Sequence, residues 1–318
     1  MTGAAPVRFG LSLGGFAGSV PASAELVDLA RRAEAVGFDS VQIGDHVQWH
    51  APLLESTTLM ATLAAVTTRL RIGSGVIILP LRDPVLLAKT IASLDVLSGG
   101  RVILGVGVGG ENPAEYAAMR VPLAERGSRA NESLEIIRGL FAHERFSYRG
   151  RHFEISDVAI APRPLQASLP IWVGGGSEAA LRRAARHGDG WIGAFASERK
   201  FARLAGTLRG FLAEARRGTE GFTFGTVLFV NVDPDARRAG EAGGRYLQQV
   251  YRLPGESLME RYGAAGPVEA CVERLAAHVA AGARYLVLYP VGDHREWPRQ
   301  LDRLGEVMAR VGKAAGGD

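Results

Sequence analysis

Short apolar runs alternate with segments of helical apolar spacing along most of the chain. The stretch from Arg71 to Gly110 shows the pattern in full. A β-branched run (Arg71–Leu79) breaks at Pro80, and Asp83-Pro84 opens a helix with Leu87, Ile91, Leu94 and Leu97 on one face. Ser98-Gly99-Gly100 ends that helix, and a second buried-type run follows at Val102–Val108. Strand, helix and strand with short connections predict a parallel βαβ unit. Glycines cluster toward the end of each run, at Gly73 and Gly75 and then at Gly105, Gly107, Gly109 and Gly110. Glycine weakens a strand, so these clusters suggest close approach of a ligand or another backbone.

The same alternation extends both ways. Strands are predicted at Val7–Leu13, Asp39–Gly44, Pro170–Val173, Asp189–Gly193, Phe222–Asn231 and Ala283–Tyr289. Helices are predicted at Ala22–Val36, Ser56–Thr67, Arg129–Phe141, Glu178–Arg186, Lys200–Arg216, Pro234–Tyr251, Val268–Ala281 and Arg295–Val311. Residues 111–169 are less regular and read as an insertion between strands four and five, with a hairpin or extended loop at Phe146–Ile155. Eight strands, nearly all followed by helices, predict one (β/α)8 TIM barrel spanning residues 1–318. A doubly wound sheet is the alternative.

Composition narrows the function classes. Of 37 basic residues only Lys89, Lys200 and Lys313 are lysines, and the arginines are scattered, so no basic face for nucleic acid is expected. A lone Cys271 leaves no intramolecular disulfide, makes a thiolate metal site improbable, and reads as a buried small hydrophobe. No signal-type segment or membrane-spanning run is recognised, so a cytoplasmic protein with no membrane partner is expected.

In a barrel the active site lies at the C-terminal strand ends. Those ends offer Ser12 and Gly14, Asp45 and His46, Gly75 and Val76, Gly107 to Glu111, Gly174 to Ser177, Trp191, Asn231, Asp233 and Tyr289. Gly174-Gly175-Gly176-Ser177, between a strand and a helix, can present backbone N–H groups to a phosphate, or be a tight turn with a serine cap. Gly105–Gly110 formally matches G-x-G-x-x-G. It starts inside a strand, and Pro113 precedes any clear helix, so a dinucleotide fold is rejected. His46 can exchange protons near neutral pH, with Asp45 a possible orienting partner. A His46/His50 zinc pair is not expected, and no lysine stands where Schiff-base chemistry needs one. Glu111 and Asp233 could serve glycoside hydrolysis, which would leave the glycines unexplained.

Several long motifs resemble the bacterial luciferase-like flavin monooxygenase superfamily: DSVQIGDH (39–46), RIGSGVIILPLRDPVLLAKTIASLDVLSGGRVILGVGVG (71–109), AERGSRANESLEIIRGL (124–140) and PIWVGGGSEAALRRAARHGDGW (170–191). Gly-Asp-His and LPLRDPVLLAK are most similar to the branch that uses the deazaflavin coenzyme F-420. The resemblance implies a barrel binding coenzyme F-420, or alternatively FMN, and acting on a small organic substrate, as a homodimer. It implies a non-prolyl cis peptide at Gly75-Val76 behind the ring, with Ser12, Gly107, Val108, Gly109 and Gly110 beside it. It also implies a phosphate on Gly174, Gly175, Gly176 and Ser177, and a proton-handling or substrate-contacting His46. Glu111 stands one residue off the register at which some relatives carry a catalytic glutamate. The expected chemistry is hydride transfer at C5 of the deazaflavin, or oxygen activation if FMN is the cofactor. A non-catalytic cofactor-binding protein on the same barrel is the reading from a different class.

Overall fold

The computed structural model describes residues 6–316. Its frame is a closed ring of parallel strands. In chain order the strands are β1 (Arg8–Leu13), β2 (Ser40–Ile43), β3 (Arg71–Ser74), β4 (Ile77–Ile78), β5 (Val102–Gly107), β6 (Phe146–Arg149), β7 (Glu154–Val158), β8 (Ile171–Gly174), β9 (Gly190–Gly193), β10 (Thr223–Val232), β11 (Gly263–Gly266) and β12 (Tyr285–Pro290). The ring runs β1-β2-β3-β5-β8-β9-β10-β12 and closes when β12 pairs with β1. This is the predicted eight-stranded barrel. β4 continues the path of β3 along β5, and β11 adds to β10 outside the ring.

Alternation along the strands sorts side chains between two compartments. Leu11, Leu13, Val41, Ile43 and Ile72 belong to the large apolar layer under the surrounding helices. Ile103, Trp172, Ile192, Tyr285 and Val287 form a separate cluster that fills the lumen. The Trp172 and Tyr285 rings meet edge-on at 4.7 Å. Above them, the Tyr285 and Gln42 side chains both donate to Ser40 Oγ, at 2.8 and 3.0 Å. The lumen is therefore a packed core, and chemistry is confined to its two ends.

The helices that position the site are α1 (Ser23–Val36), α2 (Ser56–Val66), α3 (Pro84–Ser98), α4 (Pro113–Ala118), α5 (Arg126–Ala142), α6 (Glu178–His187), α7 (Glu198–Glu214) and α8 (Ala236–Tyr251). The shell is completed by α9 (Gly255–Tyr262), α10 (Val268–Ala280) and α11 (Trp297–Gly316). Helix α3 starts where its sequence says it should, with Asp83 accepting from the N–H groups of Val85 and Leu86 and proline at the first position. Leu87, Ile91 and Leu94 face the core, whereas Leu97, read from the sequence as the fourth member of that face, is 75% exposed. The face drifts because 3.6 residues per turn carries position 97 away from the stripe started at 87.

Residues 111–169 do interrupt the strand–helix alternation. They contain α4, α5 and the antiparallel hairpin β6–β7, which runs to Val158. The hairpin is anchored on α5: Glu132 accepts from the N–H groups of Arg151 and His152, both at 2.9 Å, and Tyr148 donates to Glu135. Three elements had no counterpart in the sequence reading, α4, α9 and β11. No helix among the described residues is long and apolar enough to cross a membrane.

Candidate active site

The strand-three path is broken at the barrel's C-terminal end. Gly73 pairs with Ile103, and the next pairing on that side is Ile77 with Val106, so four steps on one strand meet three on the other. One extra residue makes a bulge. The Gly75–Val76 peptide within it is cis, where the resemblance implied. Ser74 closes the gap in the ladder, its Oγ donating to Gly105 O at 2.7 Å and accepting from Gly105 N at 2.9 Å. Gly75 is exposed and Val76 half-buried, so the bulge presents a small, smooth surface at the barrel mouth.

The neighbouring glycines are explained by this bulge. A Cβ on Gly105 would sit 1.9 Å from Ser74 O, and one on Gly107 would sit 2.7 Å from Val76 Cγ2. A Cβ on Gly174 would meet Val76 at 3.2 Å. The close approach read from the glycine clusters is real, but at Gly105, Gly107 and Gly174 the approaching group is the protein's own bulge. Gly109 packs on Ile78, Gly110 on Arg126, and the Val108 carbonyl accepts from Tyr116 Oη. Burial pushes the Tyr116 hydroxyl up to about 12, which keeps it a donor.

The end of β2 is tied to the same bulge. Ile43 O accepts from Gly75 N at 2.7 Å, and Asp45 Oδ2 accepts from Ile78 N at 3.0 Å. The other Asp45 oxygen accepts from Arg82 at 2.6 Å, and Arg82 also reaches Glu55 at 2.8 Å. Asp45 therefore does not orient His46. Its carboxylate is engaged by Ile78 N and Arg82, and it braces the bulge.

The partner of His46 is Glu115, on α4. Both carboxylate oxygens lie 3.2 Å from His46 Nδ1, and one also accepts from Val47 N at 3.2 Å. The Glu115 side chain is fully buried, whereas that of His46 keeps 18% exposure. Trp49 stacks on the imidazole at 3.9 Å with 15° between planes. Trp49 is fixed in turn by its Nε1–H to Val250 O at 2.7 Å. With Nδ1 directed at a carboxylate, Nε2 is the ring nitrogen left to meet a ligand. Sequence reasoning matched Glu115-Tyr116 to an acidic-aromatic pair of the resembled family but did not pair His46 with Glu115. Its signal was Asn112-Pro113, an N-cap followed by proline at the first helical position, and Asn112 does accept from Ala114 N at 3.2 Å.

Elsewhere the mouth departs from or refines the sequence reading. Glu111 is exposed and makes no hydrogen bond or ion pair among the described residues. Its charge, after burial and Tyr289, is a lesser contributor to raising the Tyr251 hydroxyl. Asp233 is held by Arg238 at 2.5 Å and accepts from Asp235 N, so it is not free for glycoside hydrolysis. Ser12 is 7% exposed on β1 at the upper lumen. Tyr289 donates to Gly15 O at 3.0 Å, and Asn231 to Val291 O at 2.6 Å, so both serve the frame. Ser177 caps α6 by accepting from Ala180 N at 3.2 Å, and the exposed Gly175-Gly176-Ser177 turn leaves that helix N-terminus open to solvent. Trp191 donates to Gly175 O at 2.7 Å and pins the turn. Cys271 is buried against Gly266 O, and burial raises its thiol to about 12, as suits an inert core residue.

Comparison with known proteins agrees with this geometry. The family model for luciferase-like monooxygenases matches residues 7–269. A coenzyme F-420-dependent glucose-6-phosphate dehydrogenase of Microbacterium testaceum is 31% identical over 301 residues, covering 86% of this chain and 89% of that protein. An uncharacterized protein of Mycobacterium tuberculosis is 41% identical over 186 residues, 52% of this chain, and the match spans 64% of that relative's length. Among solved structures, a coenzyme F-420-dependent secondary alcohol dehydrogenase superposes with a TM-score of 0.83 at 19% identity, covering 96% of this chain and 99% of that one. A monooxygenase of Streptomyces bottropensis gives 0.84 at 21%, covering 95% and 98%. At those identities the structural likeness speaks for the fold, while the family model and the Microbacterium relative speak for kinship. The chain belongs to the luciferase-like monooxygenase family.

Proposed function

We propose that the protein transfers hydride between coenzyme F-420 and a small organic substrate at the C-terminal mouth of the barrel. The observation that carries this reading is the junction of the exposed Gly75–Val76 bulge with His46, whose Nδ1 is engaged by buried Glu115 and whose Nε2 remains free. The groups present suit such a cofactor. The bulge offers a flat face to a ring, and the open N-terminus of α6 at Gly175–Ser177 offers N–H groups and a favourable dipole to an anionic tail. The bound deazaflavin would supply the hydride chemistry. The chain would supply position, a water-poor wall, and at His46 Nε2 a site to hold or deliver the proton that accompanies hydride transfer to or from a carbonyl or alcohol. Two similar proteins, the Microbacterium dehydrogenase and the secondary alcohol dehydrogenase, are named for this cofactor, which supports the choice.

The alternative is an FMN-dependent monooxygenase on the same cradle. It is supported by the family model's description and by a structural neighbour, a Baeyer–Villiger monooxygenase in complex with FMN. A His46→Ala variant tests the proton role. It should bind cofactor as the parent does and lose turnover, and undiminished turnover would remove His46 from the chemistry.

We further infer a cytoplasmic homodimer. The outer faces of α2 and α3, which pack side by side, carry no charge at Thr58, Ala61, Thr62 and Ala65 or at Leu86, Thr90, Ser93 and Leu97. Leu86 and Leu97 are 66% and 75% exposed, an arrangement suited to a second copy.

A further inference from the structure

The barrel's opposite end holds a cavity of about 730 Å³, bounded by the starts of several strands and by the loop before β10. Four arginines line it, Arg8, Arg71, Arg217 and Arg284, against two carboxylates, Asp189 and Glu220. Arg8 and Arg71 are the first residues of β1 and β3 and share the inward side of the alternation with Gly10 and Gly73, so both belong to the lumen end. The Trp172–Tyr285 pair closes the cavity toward the mouth.

The charges here are poorly compensated. Among the described residues, Arg8, Arg71 and Arg284 have no carboxylate within ion-pair distance. Arg71 is half-buried, and its side-chain hydrogen bonds among the described residues are to neutral acceptors, Gln166 Oε1 at 3.1 Å and Val102 O at 3.3 Å. Burial lowers the Arg71 guanidinium from its ordinary value and Arg8 adds like-charge repulsion, while Tyr285 and, less, Asp95 and Asp39 oppose the shift. Those two carboxylates are engaged elsewhere, Asp39 with Phe9 N at 2.8 Å and Asp95 with Gln166 Nε2 at 2.7 Å. Asp189 is shared between Arg138 at 2.5 Å, Ile171 N at 2.9 Å and, within the cavity wall, Arg217 at 3.8 Å, so Arg217 is the one of the four arginines with a carboxylate partner among the described residues. Arg284 donates to two carbonyls, and Arg217 to Ala185 O at 2.8 Å, which leaves each with further N–H groups. The hydroxyls of Ser168, Thr219 and Thr223 border the same space.

We propose that this cavity is a binding site for a small oxyanion carrying two or more negative charges, held chiefly by Arg8 and Arg71. A half-buried Arg71 guanidinium without a counter-charge, with exposed Arg8 on the same cavity wall, is an arrangement an incoming oxyanion would satisfy, and planar N–H forks match phosphoryl and carboxylate oxygens alike. The site is separate from the mouth, with the filled lumen between them, so its ligand is neither substrate nor flavin-type cofactor.

Calorimetric titration of the full-length protein with pyrophosphate, and separately with citrate, tests this. Saturable binding of either anion near one per chain is expected, and which one binds more tightly distinguishes a phosphoryl from a carboxylate ligand. Arg8→Gln, an exposed position whose side chain makes no hydrogen bond to the other described residues, should weaken binding about tenfold or more, the effect of losing a charge-assisted contact. Arg71→Gln should do the same. Ser177→Ala, at the mouth turn, should leave binding unchanged. Absence of saturable binding for both anions, or binding that survives both arginine substitutions, would overturn the proposal. So would binding abolished by Ser177→Ala alone.

Discussion

Removing the Glu115 carboxylate isolates what it does for His46. Glu115 is fully buried and serves two donors, Val47 N–H and His46 Nδ1, each at 3.2 Å. Glu115→Ala leaves both without this partner in a largely buried site, at roughly 1–3 kcal/mol each, so a loss of about 2–6 kcal/mol is expected. At roughly 2–4 °C per kcal/mol, the melting temperature should fall by about 4–24 °C. Glu115→Gln keeps the shape and one acceptor and should cost only about 1–2 kcal/mol. The conservative variant therefore separates positioning from folding. Nitrogen-detected NMR of the His46 ring supplies a readout independent of substrate. The parent should carry its neutral-ring proton on Nδ1, directed at the carboxylate, and both variants should shift toward the Nε2 tautomer. Turnover in Glu115→Gln should drop about 10- to 100-fold, equivalent to about 1.4–2.7 kcal/mol of lost orientation. An unchanged His46 tautomer together with unchanged turnover in Glu115→Gln would refute the reasoning, whatever happened to stability.

Other perturbations have defined outcomes. Asp45→Asn breaks the buried pair with Arg82 and should destabilise by about 3 kcal/mol in a denaturant titration, while His46 keeps its tautomer because Asp45 does not touch it. Gly105→Ala drives a methyl into Ser74 O and should destabilise by about 3 kcal/mol or more, read as lost soluble yield or a lowered melting temperature. Burial lowers His187 to about 4, so between about 4 and 6.5 the unfolded chain binds more protons than the folded one. Stability should therefore fall as pH drops through that window, and His187→Gln should remove this part of the pH dependence in urea melts at pH 7 and pH 4.5. Sedimentation should show a dimer that Leu86→Glu combined with Leu97→Glu converts to monomer.

The frame was largely legible in the sequence because local periodicity and caps agree with it. Each of the eight barrel strands was found within a few residues, and Asp83-Pro84, Gly37 and Ser177 mark helix ends for the reasons their side chains suggest. The site was legible only in part. His46 and Glu115 are 69 residues apart in sequence, and no short-range pattern pairs them. Asp45 looked like a partner because it is adjacent, but its carboxylate is taken by Ile78 N and Arg82. The glycines of β5 signalled close approach without saying of what, and the answer, Val76 and the Ser74 carbonyl, depends on a bulge that only the register reveals. Leu97 was misplaced because a fourth apolar residue seemed to extend a stripe that had already turned away. The short β11 reads GAAG, which carries no strand propensity, and pairing with β10 alone makes it a strand.

Equilibrium titration of the purified protein with oxidised coenzyme F-420 and, separately, with FMN, followed by fluorescence, addresses the central claim directly. Saturable deazaflavin binding at one per chain, tighter than any FMN binding and weakened when bulk is added at Gly75, is the predicted result. Micromolar FMN binding with none of the deazaflavin would contradict the account.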